Sequence, residues 1–241
     1  MQLPGTGNIF AGIIVEAQMK RMMIVMLSVL FATATGLSAQ SLNIKAGVFI
    51  PSMNSDLWDV NRANLEFEKA DMLDLYYGLE YEWLINSRFS LSFEGGVYKK
   101  EKRSYYRDFE FDDGSLIPQN VSLRITSLEA TLKIYPLGRR RAFYPFFAAG
   151  AGMYAWKYEQ WGYFIDNETL DLSEGYADSS RFSPGFTGKA GVVMRMGRNT
   201  GLSFEARYLY LKDDLGEWFQ GFEKLDMTGF SINVGFHFFL W

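Results

Sequence analysis

The sequence contains no cysteine, a single histidine and only 6 prolines among its 241 residues. Without cysteine the chain cannot form disulfides, thiolate nucleophiles, cysteine-based zinc sites or a lipid anchor attached through cysteine. A single histidine also excludes metal sites that need several imidazole ligands. The formal net charge is -4, so no basic excess is present to pair with a phosphate backbone, and nucleic acid is not expected as a partner.

Apolar and aromatic residues, by contrast, are abundant. Hydrophobic residues make up 48% of the chain, aromatic residues 17% and charged residues 22%. This composition excludes disordered, collagen-like and coiled-coil chains. A length of 241 residues corresponds to one large domain or two small ones, and it is enough to bury a sizeable core.

The N-terminal region has the three-part layout of a secretory signal peptide. A short basic segment at 19–21 precedes an almost unbroken apolar run at 22–32, and small and polar residues follow at 33–39. The alternative is a membrane-spanning helix, which needs about 18 to 20 apolar residues. Because the apolar run is shorter than that, we interpret this region as a signal peptide.

The chain is accordingly divided after residue 39. Residues 1–39 are predicted to comprise an upstream segment and a cleaved signal peptide, and residues 40–241 a single domain that begins near Gln40. The sequence leaves open whether Met1 or Met19 is the true start. Since no later stretch of about 18 apolar residues follows, the exported chain is either a soluble protein or a barrel.

A period of two in hydrophobicity runs through the rest of the chain and indicates β-strands. Eight segments alternate in this way, near residues 44–50, 74–83, 89–98, 121–134, 146–158, 186–195, 202–210 and 230–240. The last is the clearest, because Phe230, Ile232 and Val234 alternate with Ser231 and Asn233. In the fourth segment the apolar positions change parity at 126–127, which predicts a β-bulge there.

The connections between these segments alternate in length. Long connections are expected at 52–73, 100–120, 161–180 and 212–225, and short ones at 85–88, 136–143 and 197–201. Transmembrane barrels have short periplasmic turns and longer extracellular loops, so segments 56–69, 102–115, 163–178 and 213–223 are expected outside the cell. The alternative is a lipocalin-like soluble barrel with its apolar face inward. Strands of about 9 to 15 residues favour the membrane, and we predict an all-β, eight-stranded antiparallel up-and-down transmembrane β-barrel.

The polar faces of the predicted strands carry charged residues. In a membrane barrel these would fill the lumen, and an eight-stranded barrel is just wide enough to be filled by side chains. The expected lumen residues comprise five of each sign, Lys45, Arg124, Lys133, Lys189 and Arg207 against Glu80, Glu82, Glu94, Glu129 and Glu205. Balanced charges favour internal pairing over ion conduction.

Three segments carry a resemblance to a known family, in addition to the signal peptide. They are 128–136 (LEATLKIYP), 144–152 (YPFFAAGAG) and 231–238 (SINVGFHF). With them the chain resembles the small eight-stranded outer-membrane β-barrels of Gram-negative bacteria, of the OmpA/OmpX type with OmpW-like or opacity-type relatives. Such barrels usually end in an aromatic residue on the lipid-facing parity. Trp241 is aromatic but falls on the opposite parity, so this assembly signal matches imperfectly.

The resemblance implies a location in the bacterial outer membrane and a set of partners. These are membrane lipid and lipopolysaccharide, the barrel assembly machinery during biogenesis, and an extracellular partner contacted through the loops. The function it implies is a structural or surface-interaction role without catalysis. The alternatives are a narrow channel or transporter for small or hydrophobic molecules and, further off, a lipid-modifying barrel enzyme.

Catalysis would need a base, and His237 is the single histidine available, with Ser231 and Asn233 on its face. We interpret it as an interior or interfacial histidine that is hydrogen-bonded to a lumen carboxylate, because no paired serine motif accompanies it. The acidic pairs 112–113 and 213–214 could suggest calcium ligands or glycosidase carboxylates, but charges in loops are normally solvated. Gly150 to Gly152 is no phosphate loop, since no helix follows. No catalytic, cofactor-binding or metal-binding residue is therefore predicted.

Overall fold

The structure is a computed structural model that describes residues 40–165 and 171–240. The predicted signal peptide and the terminal aromatic residue, Trp241, lie outside the described residues. Within these two ranges, no helix is both long and apolar enough to span a membrane.

Eight antiparallel strands close into a barrel. They are β1 (Gln40–Pro51), β2 (Asp74–Leu84), β3 (Phe89–Glu110), β4 (Leu116–Ile134), β5 (Phe143–Ile165), β6 (Leu172–Arg195), β7 (Thr200–Tyr210) and β10 (Gly229–Leu240). Around the barrel their order is β1-β10-β7-β6-β5-β4-β3-β2. Helix α1 (Asp56–Asn64) and a 3₁₀ turn (Lys69–Met72) connect β1 to β2, whereas β8 (Lys212–Asp213), a 3₁₀ turn (Glu217–Phe219) and β9 (Leu225–Asp226) connect β7 to β10. The predicted number, direction and order of strands are confirmed.

The strands differ in length. β3, β4, β5 and β6 have 22, 19, 23 and 24 residues, whereas β1 and β2 have 12 and 11. The expected long connections at 100–120 and 161–180 are therefore wrong over most of their length, because the strands continue through them. The four long strands project beyond the others at one end of the barrel, which we call the loop end. The opposite end, with the short connections after β2, β4 and β6, is called the turn end.

The apolar faces of the strands point outward. Phe186, Ile232 and Phe147 are 62%, 61% and 58% exposed on the outer surface, while the inward residues of the same strands include the buried Thr187, Ser231 and Ala148. A lipocalin-like soluble barrel would have the reverse arrangement. An apolar outer surface that water would not tolerate is what a membrane-spanning barrel requires.

The bulge predicted at 126–127 is absent. The pairing of β4 with β5 continues without a shift from Gln119 opposite Gly162 to Ile134 opposite Phe147. The alternation changes for another reason: on the loop-end side of Ser127 the inward side chains become apolar, and the outward ones become polar. The strand keeps its geometry while its surroundings change. An irregularity in β3–β4 pairing does occur, between Tyr105 and Glu110.

Candidate functional site: the filled barrel interior

A lysine on β1 is at the centre of the membrane-spanning interior. The Nζ atom of Lys45 lies 2.8 Å from carboxylate oxygens of Glu80, Glu94 and Glu205, which come from β2, β3 and β7. All four side chains are essentially buried. Buried charges are stable only when they are paired, and this lysine contacts three carboxylates across the lumen.

A second set of ion pairs extends this network toward β6. Lys189 Nζ lies 2.7 Å from Glu94 and 3.1 Å from Glu129, and Arg207 forms a further ion pair with Glu129. The hydroxyl of Tyr76 donates a hydrogen bond of 2.7 Å to Glu94. The carboxylate of Glu94 thus joins cations from two sides of the barrel.

The network continues to the turn end through Glu82. This carboxylate accepts hydrogen bonds from Ser41 at 3.1 Å, from Tyr135 and from Arg139 at 3.2 Å. Lys133 links this group to the centre through an ion pair with Glu80. From its middle to its turn end, the interior is thereby filled by charge pairs together with a buried cluster of Tyr135, Tyr144, Phe146, Val193 and Phe239.

The sequence placed Arg124 in this lumen, and that prediction is wrong. Arg124 faces outward and is half-buried on the outer surface of β4. The fifth interior cation is Arg139, which lies in the turn after β4 and folds back over the rings of Tyr135 and Tyr144, 5.2 and 5.9 Å from their centroids. Sequence reasoning missed it because strand periodicity does not extend into turns. The run of three arginines at 139–141 was the available signal.

The loop end has an apolar interior instead of a charged one. Its core contains Trp58 of α1 and inward residues of the long strands, with Leu123 and Tyr158 among those fully buried. The rings of Trp58 and Tyr158 meet edge to face with centroids 5.2 Å apart, and Trp58 stacks on Phe67 at 6.0 Å. We call this assembly, formed by residues 52–73 packed between the extended strands, the cap.

Buried hydrogen bonds fix the cap in place. The side-chain amide of Asn61 donates to the Tyr158 hydroxyl at 2.7 Å and accepts from Gln160 at 2.7 Å. The indole N–H of Trp58 donates to the Asp226 carbonyl at 3.0 Å. These bonds satisfy polar groups that would otherwise be buried without partners, so they determine one position of α1 over the barrel.

An ion pair at the rim holds the cap to β3. Lys102 Nζ lies 2.7 Å from Asp71, which also accepts a hydrogen bond of 2.9 Å from the backbone N–H of Glu68. Burial raises the pKa of Asp71, but these two hydrogen bonds to its charged form, together with the charges of Lys102 and Lys100, outweigh burial and leave the pKa below its ordinary value. The carboxylate is therefore a stabilising contact at neutral pH.

The sequence of this barrel matches a known protein family. The sequence model described as the outer membrane protein beta-barrel domain matches residues 24–238. The chain belongs to this family. A search of curated protein sequences found no match. The protein is thus an outer-membrane barrel, as its outward apolar surface requires.

Solved structures of outer-membrane barrels are similar to this chain at low identity. Neisserial surface protein A matches with a TM-score of 0.51 at 12% identity, covering 83% of this chain and 96% of its own. Ail, the attachment invasion locus protein of Yersinia pestis, gives 0.41 at 15%, covering 84% and 100%. The outer membrane protease OmpT of Escherichia coli gives 0.40 at 10%, covering 86% and 99%. At these identities the first similarity describes the fold alone.

The histidine of this outer-membrane barrel does not join a triad. His237 is 2% exposed, and neither ring nitrogen has a hydrogen-bond partner within residues 40–165 and 171–240. The prediction of an interior histidine holds, but the expected hydrogen bond to a lumen carboxylate is wrong, because the ring stacks on Phe239 instead. Ser231 instead accepts a hydrogen bond of 3.2 Å from Asn233. A general base must reach the nucleophile whose proton it removes, and the structure brings His237 to no such group.

The acidic pairs and the segment 150–152, which the sequence analysis considered, make local structural contacts. Asp113 accepts hydrogen bonds from Ser115 in the β3–β4 turn, and Asp213 accepts one of 2.9 Å from the indole of Trp156. The segment 150–152 lies within β5, where a Cβ at Gly150 would come 2.2 Å from a backbone carbonyl of β4. No cluster of potential metal ligands occurs in the described part of the chain. That the protein lacks catalytic, cofactor and metal residues stays a prediction.

Proposed function

We propose that this outer-membrane barrel is a closed, non-catalytic structural protein that presents its loop end as a contact surface. The observation that carries the proposal is that the interior is blocked in two different ways. Charge pairs and a small aromatic cluster fill it from the middle to the turn end, and an apolar cap fills it at the loop end. A channel would need a continuous water-filled path through both.

The boundary between the two blocks supports closure. A cavity of about 10 Å³ lies there, lined by Tyr76, Ser127 and Arg207 among others. This volume admits about one water molecule. A hydrated ion or a small solute is larger than such a space, so transport would require the cap and the ion pairs to separate together.

Planar-bilayer recording of the refolded protein tests closure. We expect no conductance steps from the wild type at neutral pH. A variant with Trp58→Ala should also stay silent, because the charged interior remains in place when the cap is loosened. Reproducible steps from the wild type would support a narrow channel instead and would contradict the proposal.

The loop end offers exposed aromatic and acidic side chains for contact outside the cell. Phe109 at the tip of β3 is 40% exposed and Trp218 in the last loop is 50% exposed, with Asp112 and Asp113 beside the first. Because the chain has no cysteine, Asp112→Cys and Arg198→Cys each create a single labelling site, at the loop end and the turn end. In intact cells a membrane-impermeant maleimide should label the first and spare the second. The reverse labelling would invert the proposed topology.

A further inference from the structure

Three cations lie side by side on the outer surface of the barrel. The strand register places Lys99 of β3 opposite Arg124 of β4, and Arg124 opposite Lys157 of β5. All three side chains face outward and are half-buried or exposed. Like charges directly opposite one another destabilise a sheet, so this row indicates a ligand of negative charge.

The row, defined as Lys99, Arg124 and Lys157, lies where the uncharged outer surface ends. Between the turn end and the row, the outward residues of these strands carry no charge. They are Phe89, Leu91, Phe93, Gly95 and Val97 on β3, Ile134, Leu132, Ala130, Leu128 and Thr126 on β4, and Phe143, Pro145, Phe147, Ala149, Ala151, Met153 and Ala155 on β5. Since about 9 to 11 tilted residues cross the hydrocarbon layer, the row falls at the depth of lipid headgroups.

Carboxylates meet the row from the loop end only. Glu101 and Glu159 lie two residues beyond the row on β3 and β5. Lys157 Nζ is 2.7 Å from Glu159, and Lys99 Nζ is 3.9 Å from Glu101. Asp178 of β6 is 3.9 Å from Lys157. The side of the row that faces the membrane therefore has no acidic neighbour on its own strands.

Arg124 differs from the other two cations. Within residues 40–165 and 171–240 it forms no ion pair, although cations flank it on both sides. A guanidinium presents donors in a planar fork that matches a phosphate in a bidentate fashion. Glu159 interacts with Arg124 electrostatically but not at ion-pair distance, so the guanidinium in the middle of the row keeps donors for a ligand.

The remaining strands have no such feature. The outward faces of β1, β2, β7 and β10 end toward the loop end in Ile50, Leu75, Tyr210 and Phe230. These four are 41%, 48%, 48% and 42% exposed. On β6 the outward residues beside the row are Ser180 and Asp178, neither of them a cation. The cations are therefore confined to one side of the barrel, as a site would be, and do not form a ring around it.

We propose that the row binds the phosphate group of a phosphorylated lipid in the leaflet that surrounds the loop end. The acyl chains would lie on the uncharged surface of β3, β4 and β5, and the phosphate would accept hydrogen bonds from Arg124 with the two lysines beside it. This site lies outside the lumen, so it stands whether or not the barrel conducts.

Titration with diphosphoryl lipid A in a neutral detergent, followed by native mass spectrometry, tests the site. The triple variant Lys99→Gln, Arg124→Gln and Lys157→Gln should bind about tenfold more weakly than the wild type, because each cation adds to the attraction of an anionic headgroup. Lipid A without phosphates should bind the wild type as weakly as the variant binds the phosphorylated lipid. Equal binding of the two lipids by the wild type would overturn the proposal.

A second triple variant provides the matched control. Lys69→Gln, Arg103→Gln and Lys224→Gln remove the same charge from exposed loop-end positions beyond the row. This control should bind within about twofold of the wild type, and an equal loss in both variants would mean general charge attraction without a site. Inorganic phosphate at millimolar concentration should not compete with lipid A for the row. Full competition would assign the row to free phosphate and would overturn the proposal of a lipid ligand.

Folding is checked separately, by the heat-modifiable mobility of each variant on gels. Should the triple variant fail to fold, Arg124→Gln and Arg124→Lys replace it. The lysine variant keeps the charge but not the planar fork, so it should bind between the wild type and Arg124→Gln. Identical binding by all three would contradict the assignment of the phosphate to Arg124.

Discussion

The membrane-spanning part of the barrel and the loop end, where the cap packs, are built from the same strands, but the apolar residues change from the outward to the inward face. On β4 the inward residues are charged or polar at Glu129 and Lys133 but apolar at Leu123, while the outward residues change from Leu132 to Arg124. The backbone register is continuous across this change. A strand has two fixed faces, and the solvent around it decides which of them must be apolar. Lipid surrounds the first part and water the second.

The two regions are consequently stabilised by different interactions. In lipid, the apolar outer face cannot drive packing of the interior, and the lumen is held by charge pairs with almost no exposed surface. In the cap, burial of Trp58, Phe67 and their neighbours removes apolar surface from water, as in a soluble domain. Stability should therefore depend on charged side chains in the lumen and on apolar side chains in the cap.

Breaking the charged interior should have the largest effect. Glu94→Gln removes the carboxylate that pairs with Lys45 at 2.8 Å and Lys189 at 2.7 Å. We expect a loss of about 3 to 5 kcal/mol in the free energy of unfolding, because two buried cations lose a partner. Urea unfolding in lipid vesicles measures it. Glu101→Gln, on the outward face of the same strand, should change it by less than about 0.5 kcal/mol. Similar losses in both variants would contradict the difference between the faces.

Breaking the cap should have a smaller and local effect. Trp58 is fully buried, and Trp58→Ala should cost about 3 kcal/mol of packing within the cap. Because the cap lies outside the hydrocarbon layer, we expect faster amide hydrogen exchange in residues 52–73 while the midpoint of barrel unfolding barely shifts. Trp218→Ala is the control, since this tryptophan is 50% exposed at the same end. The idea that the cap opens independently of the barrel would be refuted if Trp218→Ala increased the exchange equally, or if Trp58→Ala unfolded the whole barrel.

A charge on the lipid-facing surface should cost less than the loss of a buried pair. Leu132 is 46% exposed on the outer surface, and Leu132→Arg near the bilayer centre should cost about 2 to 4 kcal/mol. Arg124→Leu reverses the substitution on the same face of the same strand, beyond the uncharged belt. It should change stability by less than about 0.5 kcal/mol. Unfolding in vesicles measures the stability of both variants. Equal losses would mean that Leu132 and Arg124 lie in the same environment, contrary to the account.

The fold was predictable from sequence because alternation with a period of two reports strands directly. Their number, order and antiparallel pairing followed from it. The lengths of β3, β5 and β6 did not, because beyond the membrane their outward residues become polar, as in a loop. In β4 the same change of face at 121–125 was interpreted as a bulge. Helix α1 was missed as well. It has 9 residues and buries only Leu57, Trp58 and Asn61, so tertiary contacts define it more than any periodic pattern.

The ion pair at the rim gives the smallest expected effect, and it depends on pH. The pKa of Asp71 lies below its ordinary value, so its contribution is complete above that value, near 3.8, and is lost as the pH falls through the pKa of the folded state. Asp71→Asn should make amide hydrogen exchange in residues 52–73 faster at pH 6. The change corresponds to a decrease of less than about 1 kcal/mol in the free energy of local opening. The difference from wild type should shrink toward pH 3. A difference independent of pH would rule out the carboxylate as its cause.

Spin labels on one strand test the exchange of faces most directly, and the cysteine-free chain permits single-cysteine variants at Leu132, Arg124 and Leu123. In liposomes the label at Leu132 should be accessible to oxygen and shielded from an aqueous nickel reagent. The label at Arg124 should be accessible to nickel, and the label at Leu123 should be shielded from both. If Arg124 instead behaves like Leu132, or Leu123 is open to nickel, then the strand does not pass from lipid to water with its faces exchanged.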